Sequence, residues 1–305
     1  MSQKPRAWLI VVGIAAVCGV SVWGVVWYRS RSLTTAALLR RMPAEDALVA
    51  YIDFGELRRG GVLKLLDGSK AGEDAEYQSF VRQSQFDYKK DLDEAIVAFA
   101  PTGRFLLLKG RFDWKSLRAY VESQNGRCIN AFCRMTGSTP ERRISFFPVR
   151  SNLMALAVSP DESAALRLES AVSGPDPQVP AAPVWLSIPT SVLKSSDSLP
   201  AGTRVFARGM ERAETVTLAF APEGQGLVAR LDVRCRDERD AADLASQLTR
   251  TTSLLRETME RERQKPNPAD LSGVLTSGSF RNDGRRVLGY WPIERAFVQN
   301  MLGGP

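Results

Sequence analysis

Histidine is absent from all 305 residues. Every mechanism that needs imidazole goes with it: Ser-His-Asp hydrolysis, Cys-His proteolysis, His-ligated zinc and His general acid–base work. Cysteine is scarce, at four residues, and without histidine the three outside the N-terminal apolar run make an unusual zinc set. No dinucleotide fingerprint, P-loop, nucleophile elbow or Ser-x-x-Lys motif occurs in its required context. The sequence therefore points to no catalytic residue, no cofactor and no metal. The apolar share of 44% and charged share of 25% are ordinary for a globular protein.

What is present begins with a long apolar run. Ala7 to Tyr28 holds 22 residues without a charge, a helix of about 33 Å that matches a hydrocarbon core. Trp8 lies at one end and Trp23, Trp27 and Tyr28 at the other, as interfacial rings do. The run is too long for a signal-peptide core, and no small-residue cleavage site stands close behind it. A single-pass signal anchor is the expectation, with a short tail over 1–6, the span over 7–28 and a juxtamembrane linker over 29–43. The expected setting is a bacterial inner membrane with the C-terminal region periplasmic. Ala15 and Gly19 form a small-xxx-small pair that suits helix association. Six of the basic residues, Lys4, Arg6, Arg29, Arg31, Arg40 and Arg41, fall before position 43 with no acid among them. The overall charge of +7 is thus almost confined to the anchor region, and the rest is nearly neutral, which argues against nucleic acid as a partner.

Beyond the anchor the chain reads as a duplication. Ala95–Gly103 (AIVAFAPTG) matches Thr215–Gly224 (TVTLAFAPEG), and each is followed by a second apolar run, Arg104–Phe112 and Gly226–Cys235. Gly103 and Gly224 would turn each pair into a hairpin. Asp113 and Asp237 are N-cap candidates for the helices that follow. A second block, Arg142–Val149 (RRISFFPV), resembles Arg285–Ile293 (RRVLGYWPI). A period of about 120 residues means whole-domain duplication rather than a solenoid. The expected fold class is α+β: the transmembrane helix, then two tandem ferredoxin-like repeats over 44–173 and 184–302. A Pro-rich linker over 174–183 joins them.

Three stretches carry a family likeness: Arg41–Leu57 (RMPAEDALVAYIDFGEL), Gly110–Ser123 (GRFDWKSLRAYVES) and Ile144–Val158 (ISFFPVRSNLMALAV). They resemble poorly characterised bacterial single-pass envelope proteins that open their exported region with a Pro-Ala-Asp-like turn and an apolar strand. The resemblance implies a non-enzymatic envelope protein and lends no functional residues.

Candidate sites are few. Cys128 and Cys133 bracket Ile-Asn-Ala-Phe, where Asn130 can turn the chain, giving either a local disulfide or two small buried residues. The aromatic–basic groups Arg142, Arg143 and Phe147, and Arg285, Arg286, Tyr290 and Trp291, occupy matched places in the two blocks. They read either as paired partner contacts or as core aromatics with solvated arginines. Asp87, Asp91, Asp93 and Glu94 lack a calcium-loop frame and read as a solvated turn. The expected function is a membrane-anchored extracytoplasmic binding or scaffolding protein. Its partners would be the bilayer through 7–28 and an envelope protein or a second copy. The alternatives are an envelope enzyme using Asp/Glu or Ser/Lys chemistry, and a ligand-sensing subunit of a membrane complex.

Overall fold

A computed structural model describes residues 33–303, apart from 44, 66–74, 138, 140, 175–176, 195–200 and 225. The first half carries β1 (Leu48–Asp53), β2 (Leu92–Ala100), β3 (Gly103–Gly110), β4 (Arg127–Ile129), β5 (Phe132–Thr136), β6 (Arg143–Arg150) and β7 (Leu153–Ser159). The second half carries β8 (Val184–Ile188), β9 (Thr215–Glu223), β10 (Gly226–Arg234), β11 (Ser279–Asp283) and β12 (Arg286–Ile293). The helices before β8 are α1 (Thr35–Leu39), α2 (Phe54–Arg59), α3 (Val62–Leu65), α4 (Ala75–Ser84), α5 (Tyr88–Asp91) and α6 (Trp114–Ser123). After β8 come α7 (Thr190–Lys194), α8 (Ala201–Gly209), α9 (Glu238–Arg261), α10 (Leu271–Thr276) and α11 (Arg295–Gly303). A 3-10 turn covers Ala164–Leu168.

Local sequence explains most of these elements. The β2–β3 and β9–β10 hairpins close at the two Ala-Pro-x-Gly turns, where Gly103 (φ 144°) and Gly224 (φ 58°) adopt backbone angles that side chains resist. The Asp113 carboxylate accepts from the Lys115 and Ser116 amides to start α6, and that of Asp237 accepts from the Asp240 amide to start α9. Along α9, Ala241, Leu244, Ala245 and Leu248 recur at i, i+3, i+4 and i+7 and bury one stripe.

All twelve strands form one sheet in the order β11-β12-β10-β9-β8-β1-β2-β3-β7-β6-β5-β4. This corrects the expectation of an anchor followed by two separate ferredoxin-like repeats. The opening strands of the two halves, β1 and β8, pair antiparallel at the centre, with Ala50 opposite Leu186 and Tyr51 opposite Trp185. Kept apart, each strand would present a row of unpaired backbone groups; pairing removes both edges at once. Asp53 extends the joint by donating its amide to the Pro183 carbonyl at 2.7 Å. The single-pass transmembrane architecture is corrected as well. Among the described residues no helix is long and apolar enough to cross a membrane, and what they form is one large sheet with helices. The expected span over 7–28 lies outside the described residues.

Strand alternation sorts the cores by face. Tyr51, Ile96, Ala98, Phe105, Leu107, Ala155, Ala157 and Trp185 share a core with Leu38, Met42, Ala165 and Leu168. The neighbouring positions Met154 and Phe146 point the other way, onto Leu117 and Val121 of α6. Ala219, opposite Trp185, packs with the first core. Its neighbours Val216, Leu218 and Phe220 pack with Phe206, Leu244 and Leu248. One face therefore carries α6 in the first half and α8 and α9 in the second. On the opposite face, among the described residues, α1 and the 3-10 turn cover the first half, while in the second half Val228 is buried and Arg230 beside it is exposed.

The second matched block is not a pair of equivalent strands. β12 lies beside β10 as β7 lies beside β3, whereas β6 is one strand farther out. The topological partner of β12 is therefore β7.

Candidate binding groove at the seam

Where the covered and uncovered parts of the second face meet, the β1–β8 joint opens into a groove of about 460 Å³. Its floor is Val49, Trp185 and Ser187, which alternation places on the same side of the two central strands. One wall is the end of α1 with Leu39 and Met42; the other is the linker at Pro177 and Gln178. Val172, 70% exposed, stands at the rim.

Long-range ties hold the walls. The Val172 amide donates to the Arg40 carbonyl at 2.8 Å, and the Arg40 guanidinium donates to the Gly174 carbonyl at 3.3 Å. Next to it, Arg41 donates to the Leu168 carbonyl at 3.2 Å and also to that of Glu169. Burial, with Arg150 nearby, lowers the pKa of Arg41. Both arginines donate to backbone carbonyls, which braces the wall.

Trp185 is the chemically distinctive residue. It is 3% exposed and stacks on Tyr51 with ring centroids 5.5 Å apart. Its indole Nε1–H meets no acceptor among the described residues. A buried donor without a partner costs about 1–3 kcal/mol. Burial, with the nearby Glu94 and Asp53 carboxylates, pushes the Tyr51 phenol up to about 12, so it stays neutral under the stack.

The aromatic–basic candidates fall elsewhere. β6 and β12 are eight strands apart in the sheet, roughly 38 Å at the usual strand spacing, so the two groups do not meet in one place. Arg143 is exposed at the start of β6 and pairs with Glu162 at 3.0 Å. Arg142 precedes it in the turn, its amide donating to the Thr139 carbonyl. Phe147 packs at the margin of the first core beside Phe132. In the second half, Arg285 donates to the Cys235 carbonyl and to Glu214. Arg286 forks onto Asp232, which raises the pKa of its guanidinium. Tyr290 donates its hydroxyl to Glu223, while Trp291 is buried in the second core.

Cys128 and Cys133 form a disulfide across the β4–β5 hairpin, where they are directly opposed. Cys235 is free and buried, and desolvation raises its thiol pKa. The acidic group around the start of β2 is neutralised piecemeal: Asp91 by Arg111, Asp93 by Arg58, Glu94 by Lys109. Among the described residues no group of three His, Cys, Asp or Glu could hold a metal ion. Trp185, Met42 and Val172 escaped the sequence reading. Their only local signal was the alternation of Val-Trp-Leu-Ser-Ile, which puts Trp185 and Ser187 on one side.

No protein-family model matches the chain, and no curated protein matches it. Solved structures similar to it are crystal forms I, III and IV of TP0453. They show 10–12% sequence identity and TM-scores of 0.45–0.47 over 90% of this chain, and 98–100% of those chains is covered.

Proposed function

We propose that this protein is a non-enzymatic binding or scaffolding module that works outside the cytoplasm, on the periplasmic side of a bacterial envelope. Its recognition surface is the seam groove, and it takes an apolar group that carries an acceptor oxygen. The observation that carries the reading is the floor of that groove: a mainly apolar channel lined by Trp185, whose buried Nε1 has no partner among the described residues. Binding sites of this class are mainly apolar with a few placed polar groups that fix orientation. The Cys128–Cys133 disulfide supports the compartment, because such bonds persist where thiols are oxidised.

The test uses 1-anilinonaphthalene-8-sulfonate, which joins apolar rings to an acceptor oxygen. The full chain should bind it saturably, and Ser187→Trp, which fills the floor, should weaken that binding at least tenfold without lowering the melting temperature. Saturable binding that Ser187→Trp leaves unchanged would place the apolar site elsewhere and end this reading.

A further inference from the structure

A second site is written in charge at the far end of the same face. Because Cys128 stands opposite Cys133, the antiparallel register puts Arg127 directly opposite Arg134. Arg134 is in turn one strand from Arg143, whose partner on β5 is Thr136. Alternation points Arg127, Arg134 and Arg143 to the side occupied by the 3-10 turn, and all three line a small cleft of about 190 Å³ with Thr136 and Glu162. Like charges directly opposed across a strand pair are destabilising, and three guanidinium groups converge here.

Glu162 is the single acid in the cleft's lining. Its Oε1 receives Arg134 and its Oε2 receives Arg143 at 3.0 Å, so both carboxylate oxygens are taken. No carboxylate pairs with Arg127 among the described residues. The lining therefore carries three positive charges against one negative. The charged side of the second half is different. There Asp232 meets Arg286, Glu223 meets Arg230 and Glu214 meets Arg234 and Arg285. An excess of two positive charges in a cleft of forked donors, with the Thr136 hydroxyl beside them, matches an oxyanion that accepts several hydrogen bonds at once.

We propose that the Arg127–Arg134–Arg143 cleft binds a phosphoryl group, either free or as part of a phosphorylated headgroup. Glu162 holds two of the arginines in place and competes with the ligand for them. Arg127, outside that pairing, supplies the donor that the ligand meets first. This site is independent of the seam groove and stands or falls without it.

Titration calorimetry of the full chain at low ionic strength tests the proposal with three probes: inorganic phosphate, glycerol 3-phosphate and glycerophosphoglycerol. Inorganic phosphate should bind saturably. Arg127→Ala should weaken it roughly tenfold, the scale of one charge-assisted contact, and Arg127→Lys should recover part of the loss. Glu162→Gln should strengthen binding, because it frees Arg134 and Arg143. Arg286→Ala, which removes an arginine paired with Asp232 in the second half, should leave it unchanged. Binding of inorganic phosphate and the monoester without the diester supports a free phosphate source, and binding of the diester as well supports a headgroup. Absence of binding by all three probes, an unchanged affinity in Arg127→Ala, or weaker binding in Glu162→Gln each overturns the proposal.

Discussion

The two halves share a sheet and a helix-covered face, and they part company on the other face. In the first half that face is roofed by α1 and the 3-10 turn, and it holds Phe105, Leu107, Ala155 and Leu168 out of water. In the second half the corresponding positions are Arg230, Asp232, Arg234, Arg286 and Tyr290, charged or polar side chains that pair along the sheet. The lesson is that duplicated strands need not keep duplicated faces. A sheet with one buried side reads as apolar–polar alternation, as β10 does, while strands buried on both sides, such as β7, read as unbroken apolar runs. The groove lies where one regime gives way to the other.

The comparison can be pressed hardest at the joint. Trp185→Ala removes a buried ring stacked between the halves and should cost about 3–5 kcal/mol, read as a lower midpoint in chemical denaturation. If both halves depend on the seam, they should still unfold in a single transition, followed separately through Trp114 and Trp291. Two transitions in the wild-type chain would show halves that are stable alone.

A smaller effect separates the roofed face from the open one by pH. The Tyr51 phenol is raised to about 12 from an ordinary 10. The sign follows from the neutral form being favoured in the folded state: the contribution is intact below pH 10 and is lost as pH rises from 10 to 12. Its ceiling is about 3 kcal/mol. Tyr51→Phe should flatten the stability curve in that window, and Tyr290→Phe, whose phenol is also raised by its bond to Glu223 but lies exposed on the open face, should flatten it less. Equal curves for wild type and Tyr51→Phe would show that Tyr51 is not held neutral by the seam.

Next in size is the outer edge of the first half. Cys128→Ser with Cys133→Ser opens a very short loop and should cost about 2 kcal/mol, with hydrogen exchange accelerating in β4 and β5 and not in β11. The smallest effect belongs to the charged face. Arg286→Ala removes a half-exposed fork onto Asp232 and should cost under about 1 kcal/mol. A larger loss would mean that the open face is covered in solution.

These elements differ in how far the sequence announces them. The β2–β3 and β9–β10 hairpins and the starts of α6 and α9 were legible, since each depends on a turn glycine or a capping aspartate a few residues away. The pairing of β1 with β8 was not, because two strands more than a hundred residues apart carry no local mark of each other. The likeness of β6 to β12 misled for a related reason: arginines, aromatics and a proline repeat in both, while position in a sheet is decided by which strand each one pairs with. Of the groove, only the alternation around Trp185 was visible; its walls come from α1 and the linker. The arginine cleft was closer to the surface of the sequence. Once Cys128 is set opposite Cys133, counting outward puts Arg127 opposite Arg134, but Glu162 arrives from a distant turn.

Native-state hydrogen exchange of the backbone amides of β1 and β8 tests the continuous sheet most directly. Strands paired on both sides at the centre of one sheet should exchange in the slowest class, together with β2 and β9 and with the free energy of global unfolding. Fast exchange in β1 and β8, at the level of the edge strands β4 and β11, would mean that the halves are separate domains and that the seam groove does not exist.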